Sequence, residues 1–191
     1  MADPSDARPD EDLARRAALG ERAALETLLE RHVDRIHAVC RRVLGHPEDA
    51  LDATQEALIA ITRGINRFDG RSRFTTWMYR VATNAALDEA RRRRRRPIAS
   101  EHAGDIASVA DATAAVDARL DVDAALATLP PDYRAAVALR DLAGLDYAEI
   151  ATVLGIPIGT VRSRIARGRA SLADRIGNRD DPTERPTNRT P

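Results

Sequence analysis

Apolar side chains recur every three or four residues along most of this chain. Leu25, Leu28, Leu29, Val33, Ile36 and Val39 trace one face of a helix that the Gly45-His46-Pro47 break should end. Residues 48–63 repeat the spacing with Ala50, Ala53, Ala57, Leu58 and Ile61. The stretch from Gly64 to Ser72 reads as a loop, because Asp69-Gly70 is a turn pair. A third helix starts near Phe74 and should end before Pro97, whose ring cannot continue it. Residues 21–96 therefore predict one unit of three or four helices.

The periodicity fades over residues 97–120, which read as a linker reaching about 80 Å when fully extended, at roughly 3.3 Å per residue. It returns with Val122, Ala125, Leu126 and Leu129, a helix stopped by Pro130-Pro131. Tyr133 to Leu142 predict the next helix, ended at Gly144. Asp146-Tyr147-Ala148-Glu149 has the form of a capping box, with Asp in the usual Ser/Thr place, and starts a short helix that Gly155 should close in a left-handed conformation. Pro157 suits the first turn of a last helix. Residues 121–176 form a second unit. The ends, 1–20 and 177–191, read as flexible tails, the first acidic and the second rich in proline. The expected fold is all-α: two small helical domains joined by a flexible acidic linker.

Composition narrows the function. Aromatic residues are 3% of the chain and hydrophobic ones 43%, mostly aliphatic, which favours helices over a β-sandwich. No run approaches the roughly 18 apolar residues that cross a bilayer, and the polar, acidic start is unlike a secretory signal, so a cytoplasmic location is expected. One cysteine, Cys40, permits neither an internal disulfide nor a Cys-based metal site; it reads as a small buried hydrophobe, with a redox role as the alternative. His32 and His37 stand five residues apart, not the four that place two ligands on one helix face. With no HExxH, phosphate-binding glycine loop or Gly-x-Ser-x-Gly, neither an enzyme nor a bound cofactor or metal is expected.

The formal net charge is zero, but the charge is segregated. Residues 71–96 hold nine arginines against Asp88 and Glu89; residues 158–175 hold five against Asp174; residues 98–123 hold six carboxylates against Arg119. Two basic patches around an acidic connector suggest two contacts with a polyanion.

Residues 146–172 have the shape of a helix-turn-helix. Ile150, Ala151 and Leu154 line one helix, Gly155 to Pro157 make the turn, and Val161, Ile165 and Leu172 line the second helix. Gly168 falls on that stripe, as either a close-packing position or a weak spot. The opposite face carries Arg162, Ser163, Ala166 and Arg167, placed to enter a major groove. Arg164 and Arg169 lie off that face and suit phosphates.

These residues carry a resemblance. The stretch LATLPPDYRAAVALRDLAGLDYAEIATVLGIPIGTVRSRIARGRASL (126–172) closely resembles domain 4 of extracytoplasmic-function (ECF) RNA polymerase sigma factors. EDALDATQEALIAI (48–61) and FDGRSRFTTWMYRVATNAALDEARRRRRR (68–96) resemble domain 2 of the same family. The resemblance implies a DNA-binding subunit of core RNA polymerase that selects promoters, often for stress responses. In that family the helix bearing Asp49, Asp52, Gln55 and Glu56 docks on the β′ clamp helices; here Asp49, Asp52 and Glu56 also make one acidic stripe by spacing. Domain 4 contacts the β flap. The loop Phe68, Asp69, Gly70, Arg71, Ser72 and Phe74 would frame a pocket for an unstacked −10 base, with Phe68 and Phe74 as its walls. Asn84 matches the position that reads the non-template strand, and Arg80, Arg91 and Arg92 would attract phosphates nearby. Thr160, Arg162, Ser163, Arg164, Ala166 and Arg167 would read or hold the −35 element. Trp77 reads as core, and the acidic linker matches in position the segment that threads the polymerase channels. Partners implied by the family are core polymerase, promoter DNA and an anti-sigma factor. An operator-binding regulator without polymerase is the competing reading; it needs a dimerisation or sensing domain, and residues 21–96 show neither a heptad seam nor a pocket signature.

Overall fold

The computed structural model describes residues 9–95 and 125–177, in which every regular element is helical. The first unit contains α1 (Asp10–Ala18), α2 (Arg22–Leu44), α3 (Pro47–Gly64), a 3₁₀ turn (Ile65–Arg67) and α4 (Phe74–Arg95). The second contains a helical stretch at 125–127, then α5 (Pro131–Asp141), α6 (Tyr147–Leu154) and α7 (Ile158–Gly177). The expected linker at 97–120 and nearly all of the C-terminal tail lie outside the described residues.

Glycine and proline set the boundaries. Gly45 closes α2 at φ 76°, where its N–H donates to the Arg41 carbonyl at 2.8 Å. Pro47 and Pro131 stand in the first turns of α3 and α5, where the missing N–H is not needed. Between them α2, α3 and α4 form a three-helix core. Leu28, Ile36, Val39 and Val43 of α2 meet Met78, Ala82 and Ala86 of α4, while α3 contributes Ala50, Ala53, Ala57 and Ile61, a mostly small-residue face that allows close approach.

The expected flexible tail at 1–20 is instead ordered from residue 10 onward. Leu13, Ala14 and Ala17 of α1 are buried against the first unit. Asp10, Glu11 and Asp12 sit at the positive end of the helix dipole, and Arg15 and Arg16 at the negative end. Asp10 accepts from Arg31 at 3.0 Å and lies 2.7 Å from Nε2 of the buried His32, which ties α1 to α2.

The two small helical domains also meet each other: α5 packs on α2 and α6 packs on α4, so one buried cluster runs through both. Arg134, 7% exposed, crosses the junction: its guanidinium donates to the Leu44 carbonyl at 3.0 Å. It thereby caps the electronegative end of α2. Burial and the neighbouring Arg93 lower its pKa. Gly45 leaves room for it, since a Cβ there would stand 2.8 Å from the guanidinium. On the other side Thr76 of α4 donates to the Glu149 carboxylate of α6 at 3.3 Å.

Candidate nucleic-acid interface

The helix-turn-helix is built as its residue types require. Asp146 caps α6 by accepting from the Ala148 and Glu149 N–H groups, both at 2.8 Å, and the Glu149 carboxylate accepts in return from the Asp146 N–H at 2.9 Å. Gly155 ends α6 at φ 64°. The carbonyl of Pro157 accepts from the Thr160 and Val161 N–H groups in the first turn of α7. Val161 and Ile165 are buried beneath α7. Gly168 completes the stripe as a close-packing position: a Cβ there would stand 2.7 Å from Val137 Cγ2 of α5.

That packing leaves Arg162, Ser163, Ala166 and Arg167 exposed on one face, with Thr160 half-buried at its edge. Ser163 Oγ donates to the Thr160 carbonyl at 2.9 Å. Arg164 is half-buried and pairs with Asp132 at 3.6 Å, while Arg169 is hydrogen-bonded to Asp141. Both expected phosphate ligands are thus engaged with α5. Arg162 is held differently: its Cζ lies over the Tyr147 ring, 5.8 Å from the centroid, and Arg140 approaches the same ring at 5.2 Å.

In the first unit, α4 is packed on most of its circumference. Its solvent side carries Arg73 just ahead of the helix, then Arg80, Asn84, Asp88, Arg91 and Arg95, spaced three, four or seven residues apart. The arginine run that follows is partly neutralised. Arg91 pairs with Asp88 at 2.6 Å, Arg92 with the buried Glu89 at 2.7 Å, and Arg93 with Asp49.

The loop between α3 and α4 stands on a buried aromatic cluster. Asp69 accepts from the Arg71 N–H at 3.1 Å and pairs with its guanidinium, and Gly70 turns the chain at φ 70°. Asp69, Gly70 and Arg71 are exposed and Ser72 is half-exposed. Phe68 and Phe74, expected as pocket walls, are both buried. Phe74 packs 5.6 Å from His32 and 6.0 Å from Trp77, and Phe68 meets Trp77 at 5.8 Å. They support the loop from beneath. A half-open depression of about 340 Å³ lies between α3 and α4, lined by Glu56, Asn84, Asp88, Glu89 and Arg92 among others. It brings together two residues, Glu56 and Asn84, that were expected to serve different partners.

On α3, Asp52, Gln55 and Glu56 are exposed together, whereas Asp49 is turned toward Arg93 with its side chain 20% exposed. The exposed face also holds Leu51 and Ile59, 55% and 43% exposed, which periodicity had not singled out. Their signal was available: both are apolar positions off the buried stripe. No described helix is long and apolar enough to cross a membrane.

Comparison with known proteins places these features in a family context. Residues 28–96 match the family model described as Sigma-70 region 2, and residues 119–172 match Sigma-70, region 4. The chain is 38% identical over 170 residues to the ECF RNA polymerase sigma factor SigM of Mycobacterium tuberculosis, covering 89% of this chain and 86% of that one. It is 33% identical over 180 residues to the ECF RNA polymerase sigma-E factor of Escherichia coli, covering 87% and 94%. Among solved structures, CnrH in complex with the cytosolic domain of CnrY is similar over 90% of this chain and 99% of that one, with a TM-score of 0.67 and 25% identity.

Proposed function

The chain belongs to the ECF sigma factors of the sigma-70 family, which direct promoter-specific transcription by RNA polymerase, and from that premise we propose how its surfaces divide the work. The exposed face of α7 reads the −35 element, with Arg162 and Arg167 at base edges and Thr160, Ser163 and Ala166 completing the contact. Arg164 serves as a phosphate ligand once its pair with Asp132 opens. The α3–α4 loop and the stripe Arg73, Arg80, Asn84 and Arg91 take the −10 element, where Asn84 contacts the non-template strand as it melts. Asp52, Gln55 and Glu56, flanked by Leu51 and Ile59, dock on the clamp helices of β′, and the second unit meets the β flap. The similar structure is described as CnrH in complex with the cytosolic domain of CnrY, which supports a protein partner besides the polymerase here, the place an anti-sigma factor would take.

The observation that carries this reading is the state of α4. A helix packed on most of its surface leaves to solvent one stripe, and that stripe is mainly arginine, with Asn84 and Asp88 between.

The packed arrangement adds a requirement. Helix α6 touches both α4 and α7, and packed helices lie about 8–10 Å apart, so α4 and α7 are within roughly 20 Å of each other. Two elements about two turns of DNA apart are separated by roughly 70 Å. Reading both at once therefore requires the units to part, and residues 97–120 are long enough to permit it.

The test is a transcription reconstitution with purified core polymerase and genomic DNA of the source organism, mapping RNA 5′ ends with and without this protein. New starts sharing paired upstream motifs are expected; none, with active polymerase and folded protein, would overturn the proposal. In the same system Arg162→Ala should weaken binding to the upstream motif by about 1–3 kcal/mol and leave core affinity unchanged. An equal fall in core affinity would show that the face is misassigned.

A further inference from the structure

The arginines of α7 differ in which part of the guanidinium the protein uses. Arg169 presents its N–H edge to Asp141 in two hydrogen bonds, and Arg164 faces Asp132 as an ion pair at 3.6 Å. Arg162 is held differently: its Cζ lies over the Tyr147 ring, 5.8 Å from the centroid, in a cation–π contact. A guanidinium whose partner is a ring has no carboxylate on its N–H groups, and those groups can pair with O6 and N7 of guanine.

The ring itself is fixed from several sides. Tyr147 is the first residue of α6, directly after the Asp146 cap, and packs half-buried on the core. Arg140 of α5 lies over the same ring at 5.2 Å and is anchored by a hydrogen bond to the Leu145 carbonyl at 2.8 Å. One side chain from each of the three helices therefore meets at this ring. A long, exposed arginine otherwise loses rotamer freedom when it binds a base; one already resting on a fixed aromatic surface has less to lose.

We propose that Tyr147 is a positioning residue for sequence reading: its ring orients Arg162 so that the guanidinium N–H groups meet a guanine in the major groove. This rests on the assignment of the α7 face to the −35 element.

The experiment uses the full chain and duplexes carrying the upstream motif of the mapped starts, with each position changed in turn to the other three bases. Arg162→Ala locates the base pair that Arg162 reads. Tyr147→Leu should then lower discrimination at that same base pair about two- to five-fold, the size of an exposed cation–π contact, with an unchanged salt slope. Tyr147→Phe, which keeps the ring, should match the native chain. Tyr147→Leu combined with Arg162→Ala should be no worse than Arg162→Ala alone. In the free protein, the ring-current shift of the Arg162 side-chain protons should persist in Tyr147→Phe and vanish in Tyr147→Leu. A loss in Tyr147→Phe equal to that in Tyr147→Leu would assign the role to the hydroxyl and overturn the proposal, as would additive losses in the double variant. If Arg162→Ala changes discrimination at no base pair, the assignment of the α7 face fails, and the proposal falls with it.

Discussion

Phe74→Ala should destabilise the protein by about 3–5 kcal/mol, the usual cost of emptying an aromatic site in a packed core. The ring is 1% exposed and packs among His32, Phe68 and Trp77. A loss of that size is a large share of the roughly 5–15 kcal/mol that holds a domain folded. Equilibrium denaturation should therefore show a much lower midpoint, and binding to core polymerase should fall together with promoter melting. A side chain that only lined a base pocket would behave otherwise: the midpoint would hold and melting alone would fail. That second pattern would return Phe74 to the DNA surface.

Cys40 should react with iodoacetamide at least about 100-fold more slowly in the native protein than in denaturant at pH 8. Burial pushes its thiol from the ordinary 9.0 up to about 11, against a smaller lowering by Thr54. Two pKa units separate the thiolate fractions by about 100-fold, and the thiolate is the nucleophile. Its sulfur is also fully buried, near the Ala82 carbonyl at 3.8 Å. The sign for stability follows from the same shift. Below pH 9 the thiol is protonated in both states and contributes nothing to the pH dependence. Between pH 9 and 11 the unfolded chain ionises first, so stability should decline across that window. Rapid native labelling would instead restore a redox role for this residue.

How much of this was legible depends on the range of the interactions. The capping box at Asp146 and Glu149, the left-handed Gly155 and the buried stripe Val161–Ile165 are local patterns, and each stands where the spacing placed it. Helices α2 to α4 were legible for the same reason, since their apolar positions repeat over several turns. Helix α1 was not: Leu13, Ala14 and Ala17 span barely two turns, too few for a period to register among so many charges. Partner choice is also invisible to periodicity. Asp49 lies on the same sequence stripe as Asp52 and Glu56, but Arg93, 44 residues later, draws it aside. Arg164 and Arg169 were read as free for phosphates because Asp132 and Asp141 are distant along the chain. Phe68 and Phe74 flank a polar loop, and nothing in their spacing says that the core turns up beneath it.

The junction of the two units sets a dependence on temperature. Parting them returns to water some of the apolar surface that now forms one cluster, and frees Arg134 from the Leu44 carbonyl. Rewetting apolar surface raises the heat capacity, and the free energy of doing so varies with temperature along a curve. A partner that holds the units apart must outweigh that curve at the temperature where it acts, and one that holds them together is helped by it. The same interior that stabilises the fold therefore makes the ease of opening a property of the organism's working temperature as well as of its promoters.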